Sequence, residues 1–219
     1  MTLTQTFLSS SFLVMAGLGC FGEATGADKP FPEPETGGTP GGIEKAVLAG
    51  GCFWGVDAVF KHVRGVSKVL SGYAGGSADT AQYEKVSSGR TGHAESVEIT
   101  FDSRIVSYGT LLRVFFSVAH DPTEVNRQGP DMGTQYRSAI FTINEEQQKV
   151  AKAYIDQLSK SGLFKRPIAT QVIPLEAFFP AESYHQNFLA EHPTYPYIVY
   201  HDLPKLAALK KLYPELWQP

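Results

Sequence analysis

Residues 45–65 read KAVLAGGCFWGVDAVFKHVRG, and a change of pattern inside this stretch decides the architecture. Ala46 to Ala49 is a short apolar run that ends in Gly50-Gly51, as expected for a buried strand stopped by a tight turn. Beyond it, Val56, Val59, Phe60 and Val63 recur at three- and four-residue spacing, and Gly65 stands just past them. A helix with one apolar face therefore follows the turn. This places Cys52 in the first turn of the helix, where unpaired backbone amides and aligned peptide dipoles favour thiolate over thiol. A lone cysteine is more commonly an inert buried side chain, so the position gains chemical meaning only with a partner.

Working outward, Val66 to Tyr73 reads as a second strand closed by Gly75-Gly76, and a third runs from about His93 to Asp102. Side chains alternate along a strand, so Glu95 shares a side with Val97, Ile99 and Phe101, while Ser96, Glu98 and Thr100 take the other. A carboxyl on the apolar side loses solvation when charged, which raises its pKa and lets it hold a proton near neutrality. The alternatives are an Arg partner or a chain turned outward. A thiolate facing a protonated acid suits reduction of an oxidised centre, because sulfur attacks while the departing oxygen takes the proton. Phe53 and Trp54 are adjacent and cannot both lie in one buried stripe, so one or both can wall a small apolar pocket for a thioether or sulfoxide methyl. Core or contact roles are the plainer alternative.

Further on, Tyr108 to Ala119 is expected as a helix and Ser138 to Ile143 as a strand. Asn144 with Gln147 caps a helix through Leu158, a strand lies at Ala169 to Ile173, and helices span Glu182 to Glu191 and Pro204 to Leu212. Asp121 to Arg137, DPTEVNRQGPDMGTQYR, is a long connection with two prolines and two glycines and no periodicity; such loops in compact domains usually serve function. Strands and helices mix without strict alternation, which favours a layered α+β domain.

The 219 residues, 42% hydrophobic and 19% charged, have an ordinary globular composition, and a net charge of -3 with scattered Lys and Arg excludes a broad nucleic-acid-binding face. Three segments are expected: a signal or leader over 1–28, a linker over 29–42 (KPFPEPETGGTPGG from Lys29), and one domain over 43–219. Phe7 to Gly19 is apolar enough for the core of an export signal, although no Lys or Arg occurs before Lys29. Gly19-Cys20 is similar to a bacterial lipoprotein acylation site, so an exported, periplasmic or envelope-associated protein is expected, with the cytoplasm as the alternative. Cys20 and Cys52 are the two cysteines, too few for a disulfide scaffold and without the neighbours a zinc site needs.

The segment GGCFWG at Gly50 to Gly55 resembles the signature of the peptide methionine sulfoxide reductase A family. The resemblance continues through SGYAGG, YEKVSSGRTGHAESVEITFD, HDPTEVNRQGPDMGTQYRSAIF and YHQNFL, from about Glu44 to the C-terminus. It implies a ferredoxin-like two-layer α/β sandwich with additional strands and long coil segments. It also implies that Cys52 attacks the sulfoxide sulfur, that Glu95 protonates its oxygen, and that Tyr83 and Tyr136 bind that oxygen. Phe53 and Trp54 would receive the methyl group, and Asp131 would help hold the substrate region through a water, with His185 as structural support. The substrate would be the S epimer of methionine sulfoxide, free or in proteins, reduced without metal or organic cofactor by a chain expected to act as a monomer.

The tail from His192 to Pro219 contains no cysteine, unlike family members that carry resolving cysteines there. A Cys52 sulfenic acid is therefore expected to be recycled by an external thiol such as thioredoxin. Two rival classes remain at this point: a cysteine hydrolase with His93 or His185 as general base, and a redox-sensing or sulfoxide-binding module that reacts once without turnover.

Overall fold

The computed structural model describes residues 29–219, so the expected leader and Cys20 lie outside the described residues. The chain begins its regular structure with β1 (Ile43–Gly50), turns through Gly51 and Cys52 into α1 (Phe53–Lys61), and returns along β2 (Val66–Ala74). A short α2 (Tyr83–Val86) precedes β3 (Ala94–Asp102) and α3 (Tyr108–Val114). A hairpin of β4 (Arg127–Gln128) and β5 (Asp131–Met132) leads to β6 (Ser138–Thr142) and α4 (Glu145–Lys160). Then come β7 (Gln171–Pro174), β8 (Phe178–Pro180), α5 (Phe188–Glu191) and α6 (Leu203–Leu212).

Six strands form one mixed sheet in the order β7-β6-β1-β3-β2-β8. Its central four, β6-β1-β3-β2, each run antiparallel to their neighbours, with α1 joining β1 to β2 and α3 lying between β3 and β6. That is the ferredoxin-like arrangement expected from the resemblance. The additions are β7, parallel to β6 at one edge, and β8, antiparallel to β2 at the other.

One face of the sheet carries the main core, in which Leu48, Val97, Ile99, Phe101 and Ile140 meet Val56, Val59 and Phe60 of α1 and Leu111, Leu112, Phe115 and Phe116 of the α3 region. The other face is lined by small side chains, Ala49, Ala74, Ala94 and Ala139, with Val47 and Phe141, and is covered in part by Ile173, Leu175 and Phe178. Burial on both faces explains why β1 reads as a continuous apolar run.

Several boundaries differ from the sequence reading for local reasons. The Tyr108 helix is regular only to Val114 and continues through Ala119 as a widened turn, where the Ser117 hydroxyl bonds the Arg113 carbonyl at 2.6 Å. The expected helix over Glu182 to Glu191 is two separate single turns, interrupted at Asn187 in left-handed conformation (φ 55°). Strand β7 begins two residues later than expected, at Gln171 rather than Ala169.

The linker stretch 29–42 is packed against the domain. The stretch forms no helix or strand before Ile43, yet Phe31 is buried and its ring sits edge-on to Phe164 at 5.6 Å. The Phe31 amide donates to the Tyr213 hydroxyl (3.1 Å), and its carbonyl accepts from Arg113 Nε (2.6 Å). The Pro32 and Glu33 carbonyls accept from Tyr154 Oη and Gln157 Nε2 at 2.9 and 2.8 Å. An extended Pro-rich chain satisfies no carbonyl internally, and here those carbonyls become the anchors of a strap across the domain.

Candidate active site

Cys52 is the N-cap of α1, one residue before its first helical position. Gly51 enters the turn at φ +92°, and a Cβ there would approach Gln128 Cβ to 2.5 Å, so both conformation and space require glycine. The helix opens with unsatisfied amides, and the Phe53 amide donates to Glu95 Oε2 at 3.1 Å. That bond brings the carboxyl of β3 to the residue that follows the thiol.

Glu95 is buried and makes no ion pair among the described residues. Burial pushes its carboxyl up to about 8, against the pull of the Phe53 amide and with a further push from Asp131. The group is protonated at neutral pH, as the strand alternation implied.

The expected thiolate requires correction. Burial raises the Cys52 thiol well above its ordinary value, Glu95 and Asp202 push it the same way, and the bond from the Trp54 amide opposes them. While Glu95 holds its proton its repulsion is absent, but burial, the largest influence, remains. The helix start thus supplies an amide to the sulfur without outweighing its desolvation. Cys52 nonetheless keeps partial exposure at the surface of the site.

Tyr83 opens α2, and Tyr136 ends the single turn Thr134–Tyr136. Burial raises both phenols, and Glu95 is the next influence on each, with Cys52 and Asp131 acting as well. Neither hydroxyl is bonded to another group among the described residues, so both are available as donors. Asp131 lies in β5 on the long loop, where it accepts from the Tyr197 hydroxyl. The loop is held by the Gln128 side chain, which accepts from the Asp121 amide (3.0 Å) and donates to the Asp121 carbonyl (2.6 Å).

Phe53 and Trp54 divide their roles. Phe53 is core, packed 5.0 Å from the His185 ring and 6.0 Å from Tyr73. Trp54 is a half-buried wall, stacked on Phe188 at 3.7 Å with the edges of Tyr195 and Tyr197 at 6.3 and 5.9 Å. Its indole N–H donates to His185 Nδ1 at 3.2 Å. Indole nitrogen can only donate, so His185 is neutral with its proton on Nε2, and burial holds its pKa down. His93 Nε2 lies 3.0 Å from the Ser77 carbonyl, which can only accept, so that nitrogen carries the proton. The charged groups acting on Cys52 are carboxylates, with no imidazole among them.

Phe188, Tyr195, Tyr197 and Asp202 join the site without having been read from the sequence. The three aromatics come from a stretch broken by His192, Pro193 and Pro196, whose density of rings was the available signal. Asp202 is fully buried, takes Lys205 Nζ at 3.1 Å, and lies so close to α1 that a Cβ at Gly55 would fall 2.1 Å from its Oδ1. The last glycine of GGCFWG therefore makes room for a carboxylate 147 positions later, as the difference between 202 and 55 gives.

A ferredoxin-like sheet with a cysteine at a helix mouth, a neutral buried carboxyl beside it and an aromatic wall defines a thiol–acid site on this fold. The chain belongs to the peptide methionine sulfoxide reductase family, whose profile matches residues 44–216. It is 61% identical over 176 residues to peptide methionine sulfoxide reductase MsrA 2 of Mesorhizobium japonicum, covering 80% of this chain and 90% of that protein. It is 58% identical over 175 residues to MsrA 2 of Synechocystis, covering 80% and 82%. Among solved structures it is similar to reduced Mxr1 of Saccharomyces cerevisiae (TM-score 0.63, 32% identity, 72% of this chain and 90% of that one). It is also similar to methionine sulfoxide reductase A of Corynebacterium diphtheriae (TM-score 0.59, 34% identity, 75% and 84%).

Proposed function

We propose that the chain reduces methionine S-sulfoxide, free or within proteins, with Cys52 as nucleophile and Glu95 as general acid. The observation that carries this reading is the neutral carboxyl of Glu95 bonded to the Phe53 amide beside the thiol. The sulfoxide methyl packs against Trp54, with Phe53 in the core behind it, the sulfoxide oxygen accepts from Tyr83 and Tyr136, and Asp131 holds the substrate region through a water. As the Cys52 sulfur attacks the sulfoxide sulfur, Glu95 gives its proton to the oxygen and recovers one from the thiol. The sulfur–sulfur bond formed in the attack and the S–O bond of the substrate then both break as the oxygen forms a new S–O bond to Cys52, giving methionine and a Cys52 sulfenic acid. Protons balance, because the proton given by Glu95 stays on the sulfenic oxygen while the thiol proton replaces it on Glu95, and the two electrons come from Cys52. The thiol, raised by burial, gives up its proton as this transfer proceeds.

Cys52 is the one cysteine among the described residues, which supports recycling by an external thiol, thioredoxin or a similar donor, with loss of water from the sulfenic acid. We further propose a role in repair of oxidised proteins under oxidative stress. On the apolar stretch Phe7 to Gly19 we propose export, which fractionation with mass analysis of the mature chain tests.

Turnover against separated S and R sulfoxides, with mass analysis of Cys52 after one cycle, tests the whole reading. Turnover of the S epimer and one added oxygen on Cys52 are expected. Turnover of the R epimer, a single stoichiometric burst, or a disulfide between Cys20 and Cys52 would each contradict part of it. The hydrolase alternative meets a further obstacle, since His185 presents its acceptor nitrogen to Trp54.

A further inference from the structure

Glu182 has no part in the chemistry above, yet its carboxylate ties together two elements of the site. Oε1 accepts from the Tyr83 amide at 2.9 Å, and Oε2 accepts from the Tyr73 hydroxyl at 2.8 Å. Tyr83 begins a four-residue helix whose preceding residue, Gln82, gives no side-chain cap. A single turn has too few internal bonds to hold itself, so the place of Tyr83 depends on its tertiary ties. Tyr73 is fully buried on β2 and stands in register with Glu95 on β3. The carboxylate of Glu182 therefore fixes Tyr83 relative to the strand pair that carries the acid.

The turn that presents Glu182 is itself pinned. The Ala181 amide donates to the Ser71 carbonyl (2.9 Å), and the Gln186 side chain bonds both the amide and the carbonyl of Ser71 (3.0 and 2.9 Å). The His185 amide donates to the Glu182 carbonyl (3.0 Å), and the His185 ring packs 4.4 Å from that of Tyr83. Glu182 has no cationic partner within salt-bridge distance among the described residues. Burial opposes its charge, but the Tyr83 amide and the Tyr73 hydroxyl help hold its carboxyl below the usual range.

We propose that Glu182 is a positioning residue of the sulfoxide-oxygen site, setting the Tyr83 phenol against Glu95. This rests on the reading of Tyr83 as an oxygen-binding donor. It is tested by kcat/KM for methionine S-sulfoxide in Glu182→Ala, Tyr83→Phe, Tyr136→Phe and their pairwise combinations. Glu182→Ala alone should lose about tenfold, as displacement of one of two donors to a shared oxygen implies. Added to Tyr83→Phe it should cost less than about twofold more, because there is no phenol left to misplace. Added to Tyr136→Phe it should cost at least its full single-variant loss, because Tyr83 is then the remaining donor. Glu182→Gln, which keeps an acceptor for the amide and offers a donor to Tyr73, should recover to within about threefold of the parent enzyme. If Glu182→Ala fails to fold, Glu182→Asp, shorter by one methylene, enters the same comparison. A full tenfold loss on top of Tyr83→Phe, or none in the single variant, would overturn the proposal. A Tyr83→Phe, Tyr136→Phe enzyme as fast as either single variant would instead overturn the oxygen-binding reading beneath it.

Discussion

The site is made of two halves that are held in different ways. Cys52, Phe53 and Glu95 sit on the sheet and the start of α1, where β1 and β2 each pair with β3, the latter in unbroken register from Lys68 to Ala74 past Glu95, and the acid meets the helix amide directly. Trp54, Tyr83 and Asp131 are placed by side-chain contacts across long sequence separations: Trp54 to His185, Tyr83 to Glu182, and Asp131 to Tyr197. The first half is set by backbone geometry and the second by a clasp of the C-terminal coil. Bond breaking is assigned to the half with the least freedom, and substrate holding to the half that can adjust.

If that division holds, damage to the sheet-borne half should strike the chemical step hardest. Cys52→Ser is expected to remove turnover altogether, read as loss of methionine formation with methionine S-sulfoxide, because a hydroxyl cannot take up the oxygen as sulfur does. Residual multiple turnover in that variant would end the assignment of Cys52.

Glu95→Gln should lower the rate of the sulfoxide step by about 10²-fold, the ordinary worth of one positioned acid. It should also change the pH dependence, since in the parent enzyme the acid form is lost as pH rises through about 8. Stability carries the same signature with a definite sign. Glu95 has a folded-state pKa above its unfolded value, so folding takes up a proton between about pH 4.5 and about pH 8. Its contribution is fully present at the acid end, declines as pH rises through that window, and has gone above it. Unfolding free energies measured across pH should therefore show Glu95→Gln losing less stability than the parent between these limits. Parallel curves would mean that residue 95 is ionised in the folded protein.

These two residues were also the legible ones. Ala46 to Phe60 announces a strand, a turn and a helix by composition and period, and Glu95 is placed on the inner side by simple alternation with Val97, Ile99 and Phe101. What the pattern could not supply was the balance of charges at the sulfur. The helix-start argument for a thiolate omitted the burial of the sulfur, which is the largest influence on it, and the smaller push of Asp202, a carboxyl brought beside α1 by a distant turn and admitted by Gly55. Nor could it supply the aromatic wall, because Phe188, Tyr195 and Tyr197 lie in short turns without period. Tyr83, Asp131 and Tyr136 were reached through family resemblance, since nothing in their irregular surroundings fixes direction.

The coil-borne half should respond with smaller, binding-type effects. Tyr197→Phe removes the hydroxyl that donates to Asp131 while keeping the ring against Trp54. One such bond is worth about 1 kcal/mol, or about fivefold, expected mainly as a rise in KM with kcat retained. A loss confined to kcat would show that this side of the site takes part in the chemistry and would dissolve the contrast between the halves.

The smallest catalytic effect is expected at Phe31, which lies outside both halves. Its ring is buried against Phe164, and its backbone bonds Tyr213 and Arg113, neither of which contributes to the site. Phe31→Ala leaves those backbone bonds available and removes only the ring, so its cost is the lost apolar burial and the cavity left behind, about 3 kcal/mol. Denaturant unfolding should show that loss, while kcat and KM measured well below the new midpoint stay near those of the parent. An unfolding curve that does not move would restore the Pro-rich stretch to the status of a tether. A large fall in kcat at full folding would instead reveal that the strap reaches the active site through α3, which contains Arg113, and α6, which Tyr213 caps.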